Sequence, residues 1–199
     1  MEMKTKTLTI AGIFTGLVFL LAMTPVGLIP LGFLNLTIVH IPVIIGTIVL
    51  GWKMGLLLGA AFGIASALSA FGLSLTPPSG LATALISQTP WGPFAVIMMC
   101  LLPRLLIPLT THAVYSLLKK KLPTAGIGIA AVVGSFTNTV GYLGIMALLF
   151  NAYGVWGTFA EKIFTFVILI AVIAEATVAG IISIPVAKQL LKYRDIDTN

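Results

Sequence analysis

Only five side-chain carboxylates and two histidines are spread over these 199 residues, and cysteine occurs once. A lone Cys100 can form no internal disulfide and has no partner for a thiolate metal cluster, so its expected place is in apolar packing. His40 has no second His, Cys or acidic residue at ligand spacing, which argues against a metal site, and no cofactor is implied. No ladder of acidic residues is available to carry protons. No phosphate-binding glycine loop followed by Lys and Ser or Thr is present, and neither half of the chain repeats the other as in alternating-access transporters. The chain therefore holds no energy source of its own. Charge of either sign is scarce: 8% of the residues carry it, against about 25% in soluble domains.

What fills the chain instead is hydrocarbon. Hydrophobic residues make up 59% of it and the mean hydropathy is +1.15, which defines an integral membrane protein. At ~20 residues per helix plus short connections, the length suits about six spans in one transmembrane domain covering residues 1–199. Apolar segments separated by Gly, Pro or charge predict them at Thr7 to Thr24, Leu36 to Leu50, Met54 to Phe71, Phe94 to Leu118, Ala125 to Phe150 and Phe159 to Leu191. The run from Leu8 to Met23 leads into Pro25 and Pro30 without a small-residue cleavage site, so it reads as the first span and not as a signal peptide. The second span is short, with Pro42 near its start, and its join to the third, "GWK", is tight enough to force an antiparallel hairpin.

Orientation follows from the basic residues. With the N-terminus inside, Lys4, Lys6, Lys53, Lys119, Lys120, Lys121, Lys188, Lys192 and Arg194 fall on the cytoplasmic side, only Lys162 falls outside, and Arg104 stays within a span. This is a strong positive-inside bias. The expected fold is thus an all-α integral membrane protein, a six-transmembrane-helix bundle with N- and C-termini cytoplasmic. The net charge of +6 reflects a basic cytoplasmic rim, so nucleic acid need not be invoked as a partner.

The same topology leaves three connections outside, all uncharged: "TPVGLIPLGFLN" from Thr24, "GLSLTPPSGLATALISQTPWGP" from Gly72 and "NAYGVWGT" from Asn151. A loop of more than about 20 residues without clear structure is functional or disordered, and these are too apolar for disorder. They are expected to fold as lids over the outer mouth of the bundle. The alternative is an interfacial belt using Trp91, Tyr153 and Trp156.

Arg104, in "MCLLPRLLIPL", lies about eleven residues below the outer end of its helix, or ~16 Å down, near the bilayer midplane. A charge there is costly unless an anion or water answers it. Glu175 on the last helix is the candidate protein anion, because Glu161 sits at the membrane surface and Glu2, Asp195 and Asp197 are in the tails. The alternative is that the guanidinium faces a cavity and takes a ligand carboxylate through two parallel hydrogen bonds. Asn138 and Tyr142, four residues apart, share a helix face that can bind hydroxyls or an amide, or can bond between helices. His40 is expected as a hydrogen-bonded wall residue that can reach ligand. Asn35, Gln88 and Trp91, in the lids, are the candidate capping contacts.

Small residues form the other pattern. Gly12 and Gly16 lie one turn apart on the first helix beside a second such pair, Ala11 and Thr15, and the third helix carries Gly55, Gly59 and Gly63 in register. Such smooth faces serve either packing within the bundle or docking of a separate membrane subunit.

The whole chain resembles the substrate-binding S components of energy-coupling factor (ECF) vitamin transporters. The segments "PLGFLNLTIVHIPVIIGTIVLGWKMGLLLGAAFGIASAL" from Pro30 and "LLPRLLIPLTTHAVYSLLKK" from Leu101 look like the group containing the pantothenate-specific member. The resemblance implies a bacterial plasma-membrane protein with substrate in its outer half, mapping onto Asn35, Arg104, Asn138 and Glu175. It also implies a transmembrane coupling subunit and two ATP-binding subunits as partners, with the S component toppling in the bilayer to release its vitamin. The family docks through small residues of its first helix, often A-x-x-x-A. Here "AGIFTG" has Thr15 in place of the second alanine, and Gly12 with Gly16 are expected to share the role.

The reading is a non-enzymatic vitamin-binding subunit with no catalytic residue. Pantothenate, with one carboxylate, an amide and two hydroxyls, suits a site of one arginine plus Asn and Thr or Tyr. Riboflavin, a hydroxymethylpyrimidine and folate stand as alternatives. So do a membrane-embedded enzyme using Glu175 or His40 as base, for which no second carboxylate or His completes a site, and a scaffold without ligand.

Overall fold

The computed structural model describes residues 5–30, 35–88, 90–153 and 158–196. Seven helices and one small hairpin follow in order: α1 (Thr5–Ala22), β1 (Leu28–Pro30), β2 (Asn35–Thr37), α2 (His40–Leu50), α3 (Trp52–Ala70), α4 (Gly80–Gln88), α5 (Gly92–Leu118), α6 (Pro123–Tyr153) and α7 (Thr158–Ile196). Four of the helices, α3, α5, α6 and α7, are long and apolar enough to cross a bilayer, and α1 and α2 contribute shorter apolar stretches.

Lipid is the solvent this surface fits. On α7 the apolar Leu169, Ile173 and Ile181 face outward, whereas Ala171, Glu175, Ala179, Ser183 and Ala187 are buried. The inward set recurs every four residues, a stripe of small and polar side chains that lets neighbouring helices come close.

The second span differs from its predicted extent. Leu36 and Thr37 belong to β2, and α2 begins only at His40. With 11 residues, or ~16 Å at 1.5 Å each, α2 cannot cross ~30 Å of hydrocarbon alone. It is instead the axis of the molecule: every residue from His40 to Val49 is buried, with Val43, Ile44 and Ile48 packed into the main apolar core beside Phe14, Leu58, Phe62 and Ile107. Gly51 then turns the chain into α3. Its φ of 90° suits glycine alone, and its N–H closes α2 on the Thr47 carbonyl at 2.9 Å.

The proline-rich helix α5 meets α3 at unusually short range. Pro108 has no N–H to give the carbonyl of Arg104, four residues earlier. Gly59 backs onto that carbonyl so closely that an added Cβ would collide with it. Gly63 lies against Leu101 and Gly55 against Pro108 and Thr47. The α3 stripe is therefore packing within the bundle.

Two of the three connections expected outside hold secondary structure. In the first, β1 and β2 pair antiparallel with Leu28 opposite Thr37 and Pro30 opposite Asn35. The second contains α4, whose N-terminus is capped by the Ser79 hydroxyl accepting from the Ala82 N–H at 3.3 Å. The two are fastened together: the Leu75 N–H donates to the Met23 carbonyl at 3.0 Å, and Asn35 Nδ2 donates to the Pro77 carbonyl at 3.3 Å. For the belt alternative, Trp91 is 70% exposed. Trp156 and the Tyr153 side chain lie outside the described residues, as does the Lys162 side chain.

Candidate solute-binding site

A cavity lies between the hairpin, α3, α5, α6 and α7, and its walls include Thr37, Ser66, Arg104, Asn138, Tyr142 and Glu175. It has about 600 Å³ of empty space, counting its open mouth.

Arg104, 2% exposed, sits twelve residues into α5, ~18 Å along it. Its Nη1 donates to the Met99 carbonyl at 3.2 Å and its Nη2 to the Ser66 hydroxyl at 3.3 Å. The guanidinium carbon is 4.6 Å from the centre of the Tyr142 ring and 5.0 Å from that of Phe62, a cation–π setting that suits a weakly hydrated guanidinium. Nε is buried without a partner among the described residues.

Glu175 is engaged elsewhere. One carboxylate oxygen accepts the Thr37 N–H at 2.6 Å and the other accepts the Thr139 hydroxyl. No ion pair joins it to Arg104 among the described residues, so the direct pair weighed from the sequence is not formed. Glu175 instead ties β2 to α6 and α7.

Thr37 is the node of this buried network. Its hydroxyl accepts from Asn138 Nδ2 at 3.4 Å and lies 3.3 Å from His40 Nδ1. Asn138 then turns Oδ1 the other way, buried and unpartnered, as is Asn35 Oδ1.

The expected site residues therefore divide. Asn35, Arg104, Asn138, Tyr142 and Glu175 share the cavity wall. His40 is fully buried behind Thr37 and is not part of that wall. Trp91 stands exposed at the start of α5, away from the cavity. Gln88 ends α4, and its side chain lies outside the described residues. Sequence reasoning missed Thr37, Ser66, Ser69 and Ser79. Ser66 and Ser69 continue the small-residue face of α3, where a hydroxyl three residues past Gly63 was the available signal. Thr37 had none, because its role depends on a strand pairing. On α1, Ala11 is turned into the bundle and Thr15 donates to its carbonyl at 2.8 Å. Gly12 and Gly16 are exposed with nothing within 4 Å of an added Cβ.

A multi-pass helical bundle with a polar cavity toward its hairpin end and an apolar girdle is a membrane protein built to hold a small solute. The family described as ECF transporter, substrate-specific component, matches residues 6–191, and this chain belongs to that family. It is a vitamin-binding subunit of a transporter in the bacterial cell membrane. It is also 30% identical, over 165 residues covering 80% of this chain and 79% of the other, to the Pantothenic acid transporter PanT of Lactococcus lactis subsp. cremoris (strain MG1363).

Proposed function

We propose that this chain is the pantothenate-binding S component of an ECF importer, in which Arg104 takes the ligand carboxylate. The observation that carries the reading is the set of buried polar atoms left unpaired around the cavity: Nε of a guanidinium, and the amide oxygens of Asn35 and Asn138. A ligand that satisfies them must offer an anion at one end and hydrogen-bond donors elsewhere. Pantothenate has one carboxylate, one amide N–H and two hydroxyls. The similarity to a protein named for pantothenic acid transport supports the same ligand. A flat aromatic vitamin fits less well, because Arg104 lies against the ring of Tyr142.

The topology that goes with this function is six crossings with both termini cytoplasmic and residues 1–199 acting as one domain. The short α2 and the hairpin above it together make the second crossing. Lys53, the Lys119 to Lys121 run, Lys188 and Lys192 mark one membrane face, and the hairpin and α4 the other. The partners are a transmembrane coupling subunit, met through the Gly12 and Gly16 face of α1, and two ATP-binding subunits. No catalytic step belongs to this chain: His40, one base of the enzyme alternative, is behind the cavity wall, and Glu175 is held by two donors.

The test is a binding comparison on purified protein. Arg104→Lys should weaken pantothenate binding, since a point charge cannot reproduce two parallel bonds, and Arg104→Ala should weaken it further. Truncating one partner of a buried charge pair costs ~2 to 5 kcal/mol, which is roughly 30-fold to several thousand-fold at 1.4 kcal/mol per tenfold. The uncharged amide analogue should bind wild type poorly and lose little more in Arg104→Ala. Equal losses for both ligands would sink the carboxylate assignment. Bound pantothenate should also be recovered chemically unchanged, at about one molecule per chain.

A further inference from the structure

Pro103 precedes Arg104 and lies inside α5, buried, with its ring against Gly141 of α6. In a continuous helix the N–H of residue 103 would donate to the carbonyl of residue 99. Proline has no such hydrogen, and its ring crowds the carbonyl four residues back, pushing it off the helical path. The Met99 carbonyl is therefore deprived of its ordinary donor. Met99 is fully buried, so water does not reach this carbonyl, and an unpaired buried carbonyl is unfavourable. The group that satisfies it is Arg104 Nη1, at 3.2 Å.

We infer that Pro103 is a positioning residue for Arg104: by withholding a backbone hydrogen it creates the acceptor that fixes the guanidinium. Arginine has several rotatable bonds and is free to swing. Two acceptors on two helices, the Met99 carbonyl on α5 and the Ser66 hydroxyl on α3, hold its plane so that Nε remains available. The inference rests on the reading of Arg104 as the ligand's anchor, and it adds a device absent from that reading, a helix defect used as a hydrogen-bond acceptor. Pro185 in α7 supplies the internal comparison. It is exposed, and the residue four earlier, Ile181, is 66% exposed and lines no part of the cavity.

The experiment replaces each proline with a residue that restores the N–H. Pro103→Ala should reduce pantothenate affinity by about tenfold or more, because the new amide hydrogen competes with Nη1 for the Met99 carbonyl. Its melting temperature should be unchanged or raised, as a proline inside a helix is unfavourable. Pro185→Ala should leave affinity unchanged. The uncharged amide analogue should bind Pro103→Ala and wild type alike. Wild-type affinity for pantothenate in Pro103→Ala overturns the inference. So does an equal loss for both ligands accompanied by a lower melting temperature, which would assign Pro103 to packing against Gly141. If wild type does not bind pantothenate at all, the functional reading fails and this inference is decided without ligand. The Arg104 side-chain nitrogen signals in NMR should show restrained, hydrogen-bonded Nη protons in wild type that are lost in Pro103→Ala, and their persistence in the variant overturns it.

Discussion

The glycines of α1 and those of α3 have the same spacing and opposite surroundings. Gly12 and Gly16 have empty space where a side chain would be. Gly55, Gly59 and Gly63 are pressed against α2 and α5, so that a Cβ at Gly59 would strike the Arg104 carbonyl. A four-residue glycine repeat in a membrane helix thus states only that something comes close. Whether that neighbour is in the same chain is decided by where the chain's other helices go. On α3 the neighbour is a helix whose own prolines expose a carbonyl, and two irregularities of sequence fit one another. On α1 no neighbour from this chain covers the stripe among the described residues.

The sharpest way to break this contrast is to add bulk to each stripe in turn. Gly59→Leu should have the largest effect. The obstructing atom is backbone, which cannot rotate aside, so α3 and α5 must separate and the Ser66 to Arg104 bond with them. Overpacking typically costs about 1–3 kcal/mol and occasionally more, and here the upper end or beyond is expected. The measurements are yield of monodisperse protein, thermal unfolding in detergent and pantothenate binding, all of which should fall together. A Gly59→Leu protein that is as stable and as active as wild type would show that the α3–α5 contact is looser than described.

Gly63→Ala is the intermediate case. Its new Cβ would meet the Leu101 Cδ1 at 2.8 Å and the Leu101 Cα at 3.1 Å. The first is a side-chain tip that can turn, the second is not. A loss of about 1–2 kcal/mol in thermal stability is expected, with binding retained at wild-type stoichiometry.

Gly12→Leu and Gly16→Leu should have the smallest effect on the isolated protein. Substitutions on open surface usually change stability by within ±0.5 kcal/mol, and pantothenate affinity in detergent should match wild type. On the proposed docking of a coupling subunit at this face, vitamin uptake by cells should nevertheless be abolished, because added bulk blocks close helix approach. Loss of binding together with uptake would instead return these glycines to the bundle's own packing and remove the contrast.

Legibility in the sequence followed the range of the interactions. The apolar runs predict the long helices to within a few residues, since burial in lipid is a property of each segment by itself. Arg104, Asn138 and Glu175 also stand out singly, because a polar group in an apolar run has to be answered. What was not legible depends on pairs. The hairpin that removes Leu36 and Thr37 from α2 is set by pairing across residues 31–34. Helix α4 has only nine residues and starts at glycine, so its one local mark is the Ser79 cap. The choice between an Arg104–Glu175 pair and two separate networks turns on Thr37 and Thr139, ordinary residues whose donors happen to reach the carboxylate first.

The burial of α2 has a consequence for how the molecule opens. Ten consecutive residues of its central helix are shielded by the rest of the chain from both bilayer and water, so no partial fraying of an outer helix uncovers them. Deuterium uptake at the α2 amides therefore tracks whole-molecule unfolding. The 72–79 connection, fastened to the segment before α2 by single bonds at Met23 and Pro77, should exchange by local opening. The ratio of the two rates, read with and without solute, separates a lid that lifts from a bundle that loosens.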